Sequence, residues 1–532
     1  MSDRLRAWAV AHPRACFFYP ISLLSTLLLL LTTPLTGNGF IWLYIGALTM
    51  ILFALRPNSA LHSALVEGST WGKRAATLAV ATVTVLVCVL PMGALPIWNG
   101  EIPDHRNQYE LMADAILEGR IDFNYGDEDL LAGLENPYDP AERDKAGVYY
   151  HWDHAYYKGH YYMYFGIVPV FLLFLPYRVL TGMPLTTYHA TQIFVAAAIL
   201  GIFALFHMLA RRFFSRMPHS VCLLLSVAFS VMSVWYSIAE PALYCTAITA
   251  AIALSVWSLY FFIRAVFCEE RENRQILLAA IGALFGALVF GCRPPIGLFN
   301  VVVIPLLVVF VRQRKFTFKR FGKLVLAALP YVAVGAALML YNYARFENPF
   351  EFGQAYQLTV ADQSQYRVVL DAATLLRIIN NTGYSFFTVG SLSMKFPYLS
   401  PVGVAFNFPI LFLIALIFSP SVISEMRKKK LALLLIGFLV AVLLITAIDI
   451  MWSPYLLERY HMDIYFLLGI ACFLLIGLFH STCTERQGRG VAFAVSALSV
   501  STVLSAALLC IGTVGAYYSD RVTDIARVLG LL

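Results

Sequence analysis

The chain has 532 residues, of which 60% are hydrophobic and only 13% are charged. A soluble globular protein has about 25% charged residues, so the composition excludes an ordinary soluble enzyme and predicts a polytopic helical membrane protein. The net charge of +7 comes from Lys and Arg in short loops between apolar runs. That placement indicates membrane orientation and argues against nucleic-acid binding.

Sequence motifs exclude several further classes. Most of the nine cysteines lie inside apolar runs, and no CxxC pair occurs, so we expect packing residues and no disulfide framework or zinc site. The sequence has no P-loop, GxSxG, HExxH or nucleotide-binding glycine pattern, which argues against nucleotide-driven work. Ser2–Arg14 precedes an apolar run without a small-residue cleavage site, and we expect an uncleaved first span.

Thirteen apolar runs are long enough to cross a bilayer as helices, which takes about 20 apolar residues. A fourteenth, Tyr162–Leu180, is interrupted by Pro169 and Pro176. We therefore predict an all-α polytopic integral membrane protein, with two helices in residues 1–74 and the rest in residues 75–532. The thirteen runs start near Ala15, Gly39, Ala75, Thr187, Ser220, Tyr244, Ile276, Ile296, Leu324, Pro401, Leu431, Ile464 and Val491.

Seven basic loops predict the orientation through the positive-inside rule. All seven share one side of the membrane if Tyr162–Leu180 enters and leaves by the same face, and the later loops invert if it crosses. We therefore predict thirteen spans and one re-entrant or interfacial segment, with the N-terminus inside and the C-terminus outside. The loops are Arg4–Arg14, Arg56–Arg74, Arg211–Arg216, Arg264–Arg274, Arg312–Lys323, Arg427–Lys430 and Arg486–Arg489.

The longest polar stretch, Asn99–His160, follows the third predicted span and is expected outside the cytoplasm. It carries fourteen acidic residues against five Lys and Arg residues, so polar chemistry in water beside the membrane is expected here. The turn at Gly291, the second loop at 347–400 and Trp452–Asp463 should share this face. Within the first loop, Arg106–Glu118 has helix periodicity.

Eight aromatic residues crowd the end of this loop. They would form an aromatic belt at the level of the lipid headgroups, or a platform for the apolar face of a sugar ring, and both interpretations are open at this stage. The residues are Tyr149, Tyr150, Trp152, Tyr156, Tyr157, Tyr161, Tyr162 and Tyr164.

Two carboxylates in this loop are candidate site residues. Asp104 stands just after the third span, where it would cap a helix, act as a general base, or do both. Asp153 lies between His151 and His154. This spacing matches no standard metal motif, so a hydrogen-bonded structural Asp is favoured; no metal site is predicted, and a divalent cation as cofactor stays open.

Two arginines are candidates for holding an anion. Arg293 interrupts an apolar run, and Arg459 lies in Glu458-Arg-Tyr-His-Met-Asp beside Tyr460. Each would either reach to the interface by snorkelling or clamp a phosphate with its guanidinium fork.

The segment Gly353-Gln-Ala-Tyr-Gln-Leu-Thr is a third candidate region, because it is rich in hydrogen-bonding side chains. It makes Gln354 and Tyr356 candidates for recognising hydroxyl groups.

Four phrases, taken in order, resemble a known family: Asp104-His-Arg-Asn-Gln-Tyr, Tyr157-Lys-Gly-His-Tyr-Tyr-Met-Tyr-Phe-Gly-Ile-Val-Pro, Gly291-Cys-Arg-Pro-Pro and Glu458-Arg-Tyr-His-Met-Asp. With an early span and a large acidic outer loop, they make the chain similar to the GT-C glycosyltransferase superfamily. The closest similarity is to its bacterial branch related to protein O-mannosyltransferases and aminoarabinose transferases. It runs from about Lys73 to the last span.

The resemblance implies an enzyme of the plasma membrane that works on the extracytoplasmic face. Such enzymes move a sugar from a polyprenyl-phosphate donor to a glycan, lipid or protein acceptor of the cell envelope. Asp104 falls at the catalytic carboxylate, and Arg293 and Arg459 at groups that hold the lipid phosphate. The sequence departs from the commonest pattern, because Asp104 is followed by His105 where many relatives have a second acid, and because two helices precede Ala75.

Two other functions compete with sugar transfer. A transporter or flippase of a lipid-linked or amphiphilic substrate would be expected to show repeats, broken helices and ionisable residues at the middle of the membrane. A non-catalytic membrane assembly subunit is the third interpretation.

Overall fold

The computed structural model describes residue 46 and residues 49–68, 70–94, 107–269, 271–313, 317–365, 371–389, 401–452 and 456–517. These residues are mostly helical. In chain order the first elements are α1 (Trp71–Ala94), α2 (Gln108–Leu117), α3 (Asp129–Ala132), α4 (Pro140–Ala146), β1 (Ala155–Tyr157), β2 (His160–Tyr162) and α5 (Leu175–Thr181).

The helices of the second part include the long ones of the bundle. They are α6 (Thr187–Phe213), α7 (His219–Ala239), α8 (Leu243–Phe267), α9 (Glu272–Phe290), α10 (Pro294–Gly297), α11 (Val303–Gln313), α12 (Phe318–Phe346), α13 (Ala372–Phe387), α14 (Val404–Asn407), α15 (Pro420–Lys428), α16 (Ala432–Trp452), α17 (Met462–Thr482) and α18 (Glu485–Tyr517). Short 3₁₀ or π turns lie at Ala60–His62, Val170–Phe174, Leu298–Val302, Gln354–Tyr356, Gln363–Gln365, Pro409–Phe418 and Glu458–His461.

Ten helices within the described ranges are long and apolar enough to cross a membrane. Each coincides with a predicted apolar run, which confirms a multi-pass helical architecture. The run near Ala15 and most of the run near Gly39 lie outside the described residues. The ten spans are Trp71–Leu90, Thr187–Phe213, His219–Ala239, Leu243–Phe267, Glu272–Phe290, Pro294–Gln313, Phe318–Phe346, Ala432–Trp452, Glu458–Thr482 and Glu485–Thr513.

The predicted span beginning at Pro401 is broken. Pro409–Phe418 and Pro420–Lys428 are long and apolar enough for a span only when taken together, and they meet at an angle of 77°. Ser419 between them is extended, with φ −71° and ψ 124°. A residue before proline is disfavoured in the helical region, so Pro420 accounts for the break.

The segment 162–180, on which the predicted orientation depends, is helical only at Val170–Thr181. At about 1.5 Å per residue, this helix is about 18 Å long, too short for a hydrocarbon layer of about 30 Å. A helix of this length does not cross the bilayer by itself, and the re-entrant or interfacial course of residues 162–180 stays a prediction. Arg178 on α5 donates to Asp114 on α2 over 2.8 Å, which ties the two short helices together.

The polar loop after the third predicted span contains a β-hairpin. Strands β1 and β2 are antiparallel, with Ala155 opposite Tyr162 and Tyr157 opposite His160. The two turn residues, Lys158 and Gly159, have φ of 49° and 83°. Positive φ at both central residues is the signature of the tight turn that matches strand twist, so the Lys-Gly pair fixes the register.

This loop is a folded unit with its own apolar core. Tyr109, Met112, Leu131 and Tyr161 are fully buried there, and Leu358 from the second predicted loop joins them. The guanidinium of Arg143 also crosses between the loops, donating to the Thr359 carbonyl over 2.6 Å. The two loops therefore pack as one polar cap, defined here as residues 107–168 with 353–359, on one end of the long helices.

Candidate functional site

A cavity of about 860 Å³ lies between the polar cap and the ends of the long helices. The bundle contributes the start of α8, the ends of α9, α12 and α16, and the turn before α17. The cap contributes the segments around Asp153, Gly166 and Gln354. Charged or amide side chains in its lining are Asp153, Arg293, Asn342, Arg345, Glu351, Gln354, Gln357, Gln363, Asp449 and Arg459.

The structure brings most of the predicted site residues to this one cavity. Arg293, Arg459, Tyr460, Asp153 and Gln354 all line it, although they come from widely separated parts of the chain.

The two remaining predicted site residues, Tyr356 and Asp104, are not among the described residues that line this cavity. Tyr356 packs against Tyr157 and Phe346, with ring centroids 4.6 and 5.3 Å away, and it is not part of the cavity lining. Asp104 lies outside the described residues. The capping position of α2 belongs to Asn107, whose side chain accepts from the amides of Tyr109 and Glu110 over 3.1 Å.

Arg293 is held by two carboxylates from other helices. Its Nε donates to Asp463 over 2.6 Å, and Asp449 lies 3.9 Å from another of its nitrogens. Burial by itself would lower the pKa of Arg293, but the charges of Asp463 and Asp449 outweigh burial and raise the pKa above its ordinary value. The guanidinium is ion-paired inside the protein, which argues against snorkelling to the interface.

Arg459 has a different environment. Its guanidinium carbon lies 4.5 Å from the ring centre of Tyr244 and 5.3 Å from that of Tyr460. Arg293 approaches Tyr460 as well, at 4.6 Å. Among the residues that the structure describes, none forms a carboxylate ion pair with Arg459 within 4 Å. This arginine therefore presents its charge on an aromatic surface, where a planar cation is favourable.

Asp153 fastens the cap to the bundle. One of its carboxylate oxygens accepts from the Tyr244 hydroxyl, and the other from the Gln357 amide over 2.7 Å. Its backbone is also fully engaged, since the N–H donates to the Leu358 carbonyl and the carbonyl accepts from Gln108, both over 2.9 Å. The structural interpretation of Asp153 is thus supported.

The histidines beside Asp153 face other partners. His151 contacts Asp127 at 3.0 Å, and His154 bonds the Trp152 carbonyl through Nδ1 at 2.9 Å and the Tyr125 hydroxyl through Nε2 at 2.8 Å. Within the described ranges, no three His, Cys, Asp or Glu side chains are grouped as a metal site would require.

The crowded aromatic residues divide between cores and cavity. Tyr156 and Tyr161 are buried, and the Tyr156 hydroxyl donates to the Glu128 carbonyl over 2.9 Å. Trp152 and Tyr164 line the cavity instead. Most of the cluster is therefore apolar core of the cap, and only part of it faces a possible ligand.

A close backbone contact shapes the wall of the cavity. The Val168 amide donates to the Gly291 carbonyl over 2.8 Å. A Cβ at Gly166 would overlap the carbonyl oxygens of Gly291 and Cys292. Glycine is required here because the cap segment touches the turn that carries Arg293.

Four further cavity residues were not predicted from the sequence: Tyr244, Arg345, Gln357 and Asp449. Asp449 had a usable signal, since an acid inside an apolar run is a functional candidate by default. Gln357 lies in the polar segment 353–359 but was not singled out there, and Tyr244 had no signal, because the contacts of both residues with Asp153 span 204 and 91 positions of the chain. Arg345 donates to the Met163 carbonyl over 2.7 Å, which is equally long-range.

Arg459 also borders a second cavity of about 370 Å³, lined by Tyr236, Tyr384, Ser385, Thr388, Pro401, Val402, Gly403, Leu456, Leu457, Glu458 and His461. Glu240 lies close enough for Arg459 to oppose the rise in the pKa of Glu240 that burial causes. Arg459 thus lines both cavities.

No family model or curated protein matches. The functional argument therefore depends on the geometry of this site.

Proposed function

We propose that the protein is a membrane glycosyltransferase that transfers a sugar from a polyprenyl-phosphate donor to a cell-envelope acceptor on the extracytoplasmic side of the plasma membrane. The observation that carries this proposal is that Arg293 and Arg459 both contact the ring of Tyr460 in one large cavity. A cationic and aromatic cavity at helix ends suits a lipid phosphate with an attached sugar.

The two arginines have unequal roles in this proposal. Arg293 already bonds Asp463 and acts as a positioning residue for Tyr460. Arg459 has its fork free of carboxylate ion pairs within the described residues and is the group that holds the phosphate. Trp152 and Tyr164 in the lining would contact the sugar.

The reaction requires a base and a stabilised leaving group. An acceptor oxygen attacks the anomeric carbon, the bond from that carbon to the phosphate oxygen breaks, and polyprenyl phosphate leaves with the bonding electrons. Arg459 stabilises the negative charge that develops on the phosphate. The acceptor's proton passes to a carboxylate; we assign it to Asp104, which falls at the catalytic carboxylate in the resemblance to GT-C enzymes, and not to Asp153, whose two oxygens are already bonded.

Transport is the second candidate function. It would be favoured by ionisable residues at the middle of the spans, but Arg459 and Asp463 lie at the beginning of Glu458–Thr482, and Asp449 lies near the end of Ala432–Trp452. The charged residues of the site therefore collect at one end of the helices. This placement supports chemistry at the interface more than passage across it.

Purified protein should transfer labelled sugar from a polyprenyl-phosphate donor to a hydroxyl acceptor. Arg459→Gln should lower kcat/KM by at least 100-fold, Arg459→Lys by less because the charge remains, and Asp104→Asn should abolish turnover. Arg377→Gln, on an exposed part of α13, is the control. Unchanged turnover in Arg459→Gln would remove the phosphate assignment, and movement of intact donor across vesicles without transfer would favour the transporter.

A further inference from the structure

A basic cavity of about 290 Å³ lies between α1 and the last turns of α6, far from the candidate site in the fold. Thr191 near the start of α6 bonds Thr246 on α8 over 2.8 Å, so that end of α6 lies beside the large cavity. Because α6 is 27 residues long, Arg211 lies about 30 Å further along the helix. The basic cavity is therefore at the opposite end of the bundle.

The upper part of this cavity is cationic or polar. Lys73, Arg74, Thr77, His207, Arg211 and His219 line it, and no described residue of the lining carries a carboxylate. The Lys73 ammonium donates to the carbonyls of Glu67 and Gly68 over 2.6 and 3.0 Å, which leaves one of its three protons for a ligand. In the described part of the chain, the Arg211 side chain has no hydrogen bond or ion pair with any residue.

The two histidines are joined by one hydroxyl. Thr77 Oγ1 lies 3.1 Å from Nε2 of both His207 and His219, and His207 Nδ1 donates to the Phe203 carbonyl over 3.0 Å. These bonds fix the positions of Thr77, His207 and His219 in the cavity without a ligand.

The rest of the described lining is mostly apolar and consists of Val66, Gly68, Leu78, Ala81, Leu200, Phe203 and Ala204. Leu78, at the edge of the cavity, is 65% exposed and borders the exposed apolar side of α1, which carries Val83, Leu86, Val87 and Leu90 over the next three turns. Trp71, 84% exposed at the start of α1, marks the level where an indole ring meets the headgroups.

We propose that this cavity binds the phosphate headgroup of an anionic phospholipid, with its acyl chains along the exposed face of α1. The charge complements one phosphate, and the volume suits a headgroup better than a whole lipid. The basic loops predict this end of the bundle to be cytoplasmic, where anionic lipids attract Lys and Arg. The site is separate from the proposed sugar-transfer site.

Native mass spectrometry of the purified full chain with phosphatidylglycerol or phosphatidylcholine of the same acyl chains tests this assignment. We expect phosphatidylglycerol to bind at least fivefold more tightly. Arg211→Gln should weaken it about fivefold, and Lys73→Gln/Arg211→Gln about 20-fold, because each basic group near an anionic surface contributes about fivefold. Arg427→Gln/Lys428→Gln on the exposed end of α15 removes the same charge as a control.

Other results would overturn the assignment. Equal binding of the two lipids, or an equal loss in the control variant, would show that the cavity has no phosphate selectivity. Displacement of phosphatidylglycerol by millimolar inorganic phosphate would indicate a site for free phosphate. Binding of neither lipid would mean that another part of the chain fills the groove. Arg211→Gln protects the test from misfolding, since this exposed side chain bonds no described residue.

Discussion

Asp153 combines a strained backbone with full hydrogen bonding. Its φ is 57°, a left-handed conformation that Asp and Asn tolerate better than other non-glycine residues. Tyr244 and Gln357 hold the side chain from two different segments. The strain is therefore offset by contacts that only the folded cap provides.

Replacement of Asp153 should separate its charge from its conformation. Asp153→Asn keeps the left-handed backbone but loses an acceptor for the Tyr244 hydroxyl, and we expect a loss of about 1–3 kcal/mol in the free energy of unfolding. Asp153→Ala should cost more. Thermal unfolding in detergent measures both, with the exposed Asp144→Asn as control; equal effects of the two Asp153 variants would contradict this account.

His154 should make the stability of the cap depend on pH. Burial lowers its pKa from 6.5 to about 4, and the neutral ring is satisfied by the Trp152 carbonyl and the Tyr125 hydroxyl. Between pH 6.5 and about 4, His154 binds a proton in the unfolded chain and stays neutral in the folded cap. Stability is therefore complete above pH 6.5 and falls as the pH drops towards 4, by up to about 3 kcal/mol.

The variant His154→Gln should remove most of this dependence. Unfolding temperatures of the wild type and the variant, measured from pH 7.5 to pH 4.5, should converge as the pH falls. His189→Gln, which removes an exposed imidazole, serves as the control and should keep the wild-type slope. An unchanged slope in His154→Gln would assign the acid sensitivity to other groups.

The cluster of Arg293, Asp449 and Asp463 should respond unequally to loss of its members. Arg293→Met leaves two buried carboxylates without a cation, and we expect a loss of about 3–5 kcal/mol in unfolding free energy. Asp463→Asn leaves one cation with one carboxylate and should cost about 1–2 kcal/mol. Denaturation in detergent compares them, and adding Asp449→Asn and Asp463→Asn to Arg293→Met should restore stability if unpaired charge is the cause.

At the scale of elements, the contact between the cap and the turn before α10 has no room for a side chain. Gly166→Ala would place a Cβ against the carbonyls of Gly291 and Cys292. We expect a loss of at least 2 kcal/mol in unfolding free energy, since overpacking a rigid contact costs about 1–3 kcal/mol and both carbonyls belong to backbone.

A second glycine provides the matched comparison. Gly335 lies inside α12 with open space around its Cα, so Gly335→Ala should raise stability by about 0.5–1 kcal/mol. Opposite signs in thermal unfolding would confirm that Gly166 is required for its position, whereas a neutral Gly166→Ala would show that the two segments separate easily.

Local sequence was sufficient to predict many of these elements. Apolar length located the ten helices that are long and apolar enough to cross a membrane, and the periodicity of Arg106–Glu118 predicted a helix that the structure has at Gln108–Leu117. The break at Ser419 was missed because hydropathy is blind to Pro420. The fold of the cap was missed because its core joins Tyr109 to Leu358, a pairing that periodicity does not encode.

At the scale of the whole molecule, pattern reasoning found candidate side chains and not their partners. Arg293 and Arg459 stood out as charges near apolar runs, and both line the large cavity. Arg293 is neutralised by Asp463, whereas Arg459 forms no such ion pair with a described residue, and this difference follows from helix packing over more than 150 positions. Sequence alone gave the two arginines equal weight.

The placement of Arg459 has a consequence for any pair of ligands. Arg459 lines both the 860 Å³ and the 370 Å³ cavity, so its single positive charge acts on an anion in either one. An anion bound in one cavity weakens the attraction between Arg459 and an anion in the other cavity. Two negatively charged molecules would thus weaken each other's binding without overlapping, and release of the first would raise the affinity of the other cavity for the second.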